Sequence, residues 1–159
     1  MLDLGGPPTT GFLVWRLAMR WRSAVDRAVA PLGLTHAQYA LLGSLFGVAR
    51  AGERPTQRQL ADHTGLDAIY VSKLARALEA GGLVERVTDP DDARAVRLGL
   101  TARGTAVAAE AVDLVARLHD EVTAPLGGTG SERTRAFAET LQTLLAAPLP
   151  TPTTTGDTP

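Results

Sequence analysis

Gly65 and Asp67 place a helix stop and a helix start one residue apart, and no other feature of the chain restricts its fold as much. Thr56-Gln57-Arg58-Gln59 opens a helix in the Thr-x-x-Gln form, where each side chain satisfies the other's free backbone donor. That helix has to end near Thr64-Gly65, because glycine readily takes the left-handed conformation of a C-terminal cap. Asp67 is a good cap for the next helix, whose Val71, Leu74, Ala75 and Leu78 recur at i, i+3, i+4 and i+7 as far as Gly81-Gly82. The pattern is helix, tight turn, helix. Beyond the glycines, Leu83 to Thr88 and Ala95 to Leu100 read as two strands around Asp89-Pro90-Asp91-Asp92-Ala93-Arg94. Val96, Leu98 and Leu100 alternate there against Arg97 and Gly99, which predicts a hairpin with a polar tip.

Longer helices flank this unit. Val14, Leu17, Ala18, Trp21, Val25, Ala28 and Val29 predict one helix from Phe12 to Ala30. Pro31-Leu32-Gly33-Leu34 breaks it, and Thr35-His36-Ala37-Gln38 repeats the capping pattern and opens a second helix to about Gly47. Thr101 caps a fifth helix carrying Val107, Ala111, Leu114, Leu118 and Val122, which Pro125 and Gly127-Gly128 stop. A last helix starts near Ser131, with Phe137, Leu141, Leu144 and Leu145 on one face, and ends at Pro148. Segments 1–10 and 148–159 lack an apolar period and read as a disordered arm and tail. The stripes of the first, fifth and sixth helices exceed what a compact helix-turn-helix and hairpin of about 70 residues can cover, which predicts a homodimer. The expected division is a helical dimerisation region, 11–34 and 102–147, around the helix-turn-helix and hairpin, 35–101.

Other classes are excluded. At 159 residues the chain is about one domain with an accessory element. Its longest apolar runs fall far short of the roughly 20 residues that span a bilayer. Met1-Leu2-Asp3-Leu4 has no basic region and arginines interrupt the apolar stretch that follows, so no secretory signal or membrane association is expected, and the cytoplasm is. With no cysteine there is no disulfide, thiolate zinc site or thiol sensor. His36, His63 and His119 are isolated from metal-ligand spacing, and no motif asks for a metal or a cofactor. No Gly-rich phosphate loop, nucleophile elbow or defended carboxylate pair marks catalytic residues, so an enzyme is not expected.

The element order is that of a winged helix-turn-helix, mainly α with a small β-hairpin wing, whose second helix enters the major groove. At about 100° per residue, the core stripe of that helix leaves Ile69, Lys73, Arg76 and Ala80 on the opposite face, with Ser72 at its flank. Lys73 and Arg76 suit phosphates or guanine acceptors, Ser72 can donate to either, and Ile69 suits a thymine methyl. At the hairpin tip Arg94 is placed to enter a narrow minor groove, against the repulsion of Asp89, Asp91 and Asp92 unless these turn inward. Residues 54–97 hold seven basic and seven acidic side chains, so only modest affinity is expected. That neutrality fits an alternative use of the same fold as a protein-docking module, whereas the outward cations favour a double-stranded DNA operator.

Five segments carry a resemblance to a known family. Gly33-Leu34-Thr35-His36-Ala37-Gln38-Tyr39-Ala40-Leu41-Leu42, Leu60-Ala61-Asp62, Leu78-Glu79-Ala80-Gly81-Gly82-Leu83-Val84-Glu85-Arg86, Asp89-Pro90-Asp91-Asp92-Ala93-Arg94-Ala95 and Leu98-Gly99-Leu100-Thr101-Ala102-Arg103-Gly104 stand in order and at matching separations. Over about residues 11 to 147 the chain resembles the MarR family of transcriptional regulators. The resemblance implies an obligate homodimer with two winged domains on a pseudo-palindromic operator, released in many members by a small, often aromatic and anionic effector. Departures are specific. Ala93 replaces the first of two wing arginines, leaving Arg94; Ile69-Tyr70 stands where small hydroxyl residues are common; and the cysteine of the peroxide-sensing branch is absent.

For a small-molecule effector, Trp15, Met19 and Tyr39 offer aromatic or polarizable surface near Arg22 and its neighbours Arg16 and Arg20, a candidate wall for an aromatic carboxylate or phenol.

Overall fold

The computed structural model describes residues 7–148. The elements are α1 (Thr10–Val29), α2 (His36–Ala49), α3 (Gln57–Thr64), α4 (Ala68–Ala80), β1 (Val84–Thr88), β2 (Val96–Leu100), α5 (Ala102–Thr123) and α6 (Glu132–Ala146). This is the mainly helical chain with a two-stranded wing that the sequence predicts. The described residues divide into two compact units, which part between Leu118 and His119.

Helix α1 starts two residues before its predicted boundary. The Thr9 hydroxyl accepts from the Phe12 amide at 3.3 Å, and that cap draws Thr10 out of the predicted arm and, with Gly11, into the first turn. The rest of the predicted arm before Pro7, and the predicted tail after Pro148, lie outside the described residues. At the other end Ala30 leaves the α-helix for a 3-10 turn, Ala30–Leu32, closed by Gly33 at φ +73°. Helix α2 outruns its predicted end to Ala49, since Gly47 weakens a helix interior without stopping it.

Both capping boxes form. Thr35 accepts from the Gln38 amide at 3.3 Å while Gln38 Oε1 accepts from the Thr35 amide at 2.9 Å. Thr56 and Gln59 repeat the exchange at 3.2 and 2.8 Å. A further acceptor comes from α1, where Asp26 Oδ1 takes the His36 amide at 2.6 Å and so fixes the α1–α2 corner. Burial is the main cause that lowers the His36 pKa; Asp26 opposes that shift and Arg22 adds to it.

β1 and β2 pair antiparallel, from Val84 opposite Leu100 to Thr88 opposite Val96. Each strand begins one residue later than predicted. The Leu83 amide is still bonded to Leu78 O of α4 at 2.9 Å, and the Ala95 amide is held by Asp92 O in the tip turn at 2.8 Å. The predicted alternation also fails at Gly99, which is buried rather than outward. A Cβ there would meet Glu85 Oε1 at 3.0 Å and Arg54 Cζ at 3.4 Å, because the Arg54–Glu85 ion pair, 2.8 Å long, lies over it. The loop before α3 flanks β2, with Leu98 N donating to Pro55 O at 2.9 Å.

One core serves the first unit. Val25 and Val29 of α1, Leu41, Leu42 and Leu45 of α2, Leu60 of α3, Val71 and Leu78 of α4, Leu98 of β2 and Ala108, Ala111 and Val115 of α5 are buried together. Burying each large side chain is worth about 1.5–3 kcal/mol. The first half of α1 contributes nothing to that core: Phe12, Leu13, Val14, Trp15, Leu17 and Met19 are exposed.

In the second unit the Ser131 hydroxyl caps α6, accepting from the Thr134 amide at 3.1 Å and donating to Leu126 O at 2.8 Å. Thr129 donates to the Asp120 carboxylate. Phe137, Leu144 and Leu145 of the α6 stripe are exposed.

Candidate nucleic-acid interface

Helix α4 is built to show one face. Asp67 Oδ1 accepts from the Ile69 and Tyr70 amides at 2.9 and 3.1 Å, which satisfies donors that the first helical turn leaves free. Val71, Leu74, Ala75 and Leu78 are buried beneath it. Ile69, Lys73, Arg76 and Ala80 are exposed and Ser72 is half-buried at the flank, as the periodicity predicts. Ile69 is 77% exposed, an unusual position for a β-branched apolar side chain unless another surface covers it. Tyr70 beside it is also exposed; sequence reasoning left it out of the interface, although its place in the first turn of α4 was a signal.

The wing tip resolves its own acidity. Asp89 turns inward: its Oδ1 accepts from the Asp91 amide at 2.8 Å and its Oδ2 from Arg97 Nε at 2.7 Å. Asp92 Oδ1 takes the Arg94 amide at 3.0 Å and lies 3.4 Å from Arg94 Nε. Asp91 is the most exposed of the three, its side chain 88% exposed and its carboxylate 4.0 Å from Arg97 Nη2, while Asp92 is 52% exposed. Arg94 projects from the tip with its side chain 94% exposed.

Arg97, read in the sequence only as the outward member of an alternation, is a strut. Besides Asp89 it donates through Nη1 to Arg54 O at 3.2 Å, joining the wing to the loop before α3. No local signal marks that role, since Arg54 and Arg97 meet only through the β2 pairing. A cleft of about 770 Å³ lies between α3 and the wing, and Arg58 and Arg94 both line it, with Gln57, Asp62 and Asp92.

The candidate effector residues are not gathered in the same way. Trp15 stacks on Phe12, ring centroids 6.0 Å apart and planes at 26°, and Arg16 lies over Phe12 at 5.8 Å. Met19 is exposed and Arg22 pairs loosely with Asp26 at 4.0 Å. Tyr39 instead packs its ring on Gly43 and lines a cavity of about 520 Å³ with Ser44, Gly47 and His63, in which Trp15, Met19 and Arg22 take no part. Burial pushes the Tyr39 pKa up, so its hydroxyl stays protonated at neutral pH. No helix among the described residues is long and apolar enough to cross a membrane.

A helix-turn-helix whose second helix shows a polar and cationic face, followed by a two-stranded wing with an arginine at its tip, defines a winged helix-turn-helix protein. Comparison with known proteins agrees. A model of the MarR family matches residues 32–95. An uncharacterized HTH-type transcriptional regulator of Bacillus subtilis (strain 168), YdcH, is 37% identical over 114 residues, which cover 71% of this chain and 78% of the relative. The PcaV transcriptional regulator of Streptomyces coelicolor, solved with its natural ligand, superposes with a TM-score of 0.77 at 26% identity, over 92% of this chain and 99% of that one. The transcriptional regulator MosR of M. tuberculosis, solved with DNA, is 29% identical with a TM-score of 0.69, over 89% and 100% of the two chains. The chain belongs to the MarR family of transcriptional regulators.

Proposed function

We propose that this regulator is a homodimeric repressor that binds a pseudo-palindromic DNA operator through α4 and the wing and releases it when an aromatic anion binds. One observation carries the DNA reading: Ile69, Lys73 and Arg76 share the exposed face of α4, while Asp89 is withdrawn from the tip that presents Arg94. Ser72 at the flank adds a hydroxyl donor. Arg94 is assigned to the minor groove and α4 to the major groove, where short side chains and cations reach base edges and phosphates. That MosR was solved with DNA supports the same assignment.

Dimerisation is assigned to 11–34 and 102–147, and DNA binding to 35–101. The exposed half of α1 supports this. Phe12, Leu13, Val14 and Trp15 are consecutive and exposed, and with Leu17 and Met19 they leave the first half of α1 with apolar side chains that the core does not cover. Apolar side chains gathered in one exposed patch mark a surface that a partner covers. A second copy supplies that cover, with a two-fold axis that also sets α4 against two half-sites about one DNA turn apart.

The test joins assembly and binding. Sedimentation at micromolar concentration is expected to give a dimer, and Trp15→Glu with Leu17→Glu a folded monomer. Wild type is expected to retain an inverted repeat from a random duplex pool with a steep salt dependence. A stable wild-type monomer, or no retained repeat, contradicts the proposal; capture of a protein in place of DNA would favour a docking role for the same fold.

A further inference from the structure

We infer that Thr101 and Arg103, at the start of α5, are positioning residues that set the bearing of α4 and so the half-site spacing the protein accepts. The inference rests on the DNA-binding reading above. Four hydrogen bonds meet at this joint. Gly81 and Gly82 follow α4 and carry carbonyls that the helix itself leaves without partners. Arg103 Nη1 donates to Gly81 O at 3.1 Å and the Thr101 hydroxyl donates to Gly82 O at 2.7 Å. The Thr101 amide donates to Leu83 O at 3.1 Å. The same Thr101 hydroxyl accepts from the Gly104 amide at 2.9 Å, so one oxygen caps α5 and fastens the end of α4.

The joint is close as well as bonded. A Cβ on Gly104 would overlap the Leu83 carbonyl, so the first turn of α5 lies directly on the residue that follows α4. Arg103 is exposed and makes no ion pair among the described residues, and its cation stands at the negative end of α4. From here α5 buries Ala108, Ala111 and Val115 in the same core as Val25 and Val29 of α1, the helix whose first half is the proposed dimer face. Thus α4, α5 and α1 are linked through packed and bonded contacts within one unit. Two α4 helices in a dimer then stand at a separation fixed at these joints, and a loosened joint lets each swing about its C-terminal end.

The experiment uses the full-length protein and the inverted repeat it enriches from a random duplex pool. The repeat is rebuilt with one base pair added or removed at its centre, a shift of about 3.4 Å per half-site pair. Wild type is expected to prefer the enriched spacing. Arg103→Met is expected to cut that preference by roughly fivefold, the scale of one exposed hydrogen bond, with the protein still folded. Arg103→Lys, which keeps a donor, is expected to restore part of it. Should Arg103→Met not fold, Arg103→Leu and Thr101→Val are read in the same way. Variants that keep the wild-type preference, or weaken on all three repeats equally, overturn the inference and leave the DNA reading intact. A wild type that enriches no repeat overturns both.

Discussion

Arg97 Nε lies 2.7 Å from Asp89 Oδ2 at the base of the wing tip, and the Asp89 side chain is only 7% exposed. The other carboxylate oxygen holds the Asp91 amide at 2.8 Å. A residue that would repel a polyanion is thereby made a brace of the turn that presents Arg94. The three tip acids differ in role because they differ in direction: Asp89 braces, Asp92 holds Arg94, and Asp91 faces out.

The brace has a pH signature. The Asp91 amide, and after it the Arg97 guanidinium, hold the Asp89 carboxyl below its ordinary value. A depressed folded-state value adds stability that is complete above the unfolded carboxylate pKa of about 3.9 and is lost as pH falls through the lower folded value. Wing amide resonances are expected to hold constant from neutral pH to about 5 and to shift only in stronger acid. Asp89→Asn should flatten that acid limb and lower the melting temperature at pH 7; an unchanged limb would remove Asp89 as its source.

Asp91 and Arg94 should act in opposite directions on DNA. Asp91→Asn removes the outward acid and is expected to raise non-specific affinity roughly two- to fivefold at low salt, the scale of ~1 kcal/mol for unit charges a few ångströms apart in water. Arg94→Ala should weaken binding and reduce the salt slope by about 1. Anisotropy titrations at several salt concentrations measure both.

Lys73 is the only lysine in the sequence, which makes it a built-in footprint. Apart from the N-terminal amine, it is the primary amine an acylating reagent can reach, and operator DNA is expected to protect it. Arg76→Ala should cost about 1–3 kcal/mol of specific affinity if it reads a guanine. Equal labelling of Lys73 with and without DNA would place the interface elsewhere.

Gly104 should tolerate no side chain. Gly104→Ala forces α5 off the Leu83 carbonyl and is expected to destabilise the fold by about 1–3 kcal/mol, read as a lower urea midpoint. Gly47→Ala, in open space on α2, is the control and should be neutral or slightly stabilising.

Effector control is tested with the tryptophans, both of which lie on α1. Salicylate is expected to quench them saturably over the range that releases operator DNA, and Arg22→Ala to weaken that response. Tyr39→Phe should weaken it only if the phenol donates to the ligand, since the hydroxyl remains protonated. No quenching and no release would make constitutive repression the better account.

Local signals set most of the fold. Thr35, Thr56, Asp67, Thr101 and Ser131 each begin a helix where the sequence places one, because a side-chain cap needs only neighbours a few residues away. The outward face of α4 was legible for the same reason, since helical periodicity turns position into direction. What the sequence left open was every contact between residues far apart. Which tip acid turns inward depended on Arg97 arriving from β2, and the burial of Gly99 depended on Arg54 and Glu85 closing over it. Sequence alone determined where the helices of this protein begin and which face of α4 is exposed, through forces that act within a turn or two. Only the tertiary structure decided which charges cancel and which remain outward, because hydrogen-bond geometry at about 3 Å is settled where separate elements meet.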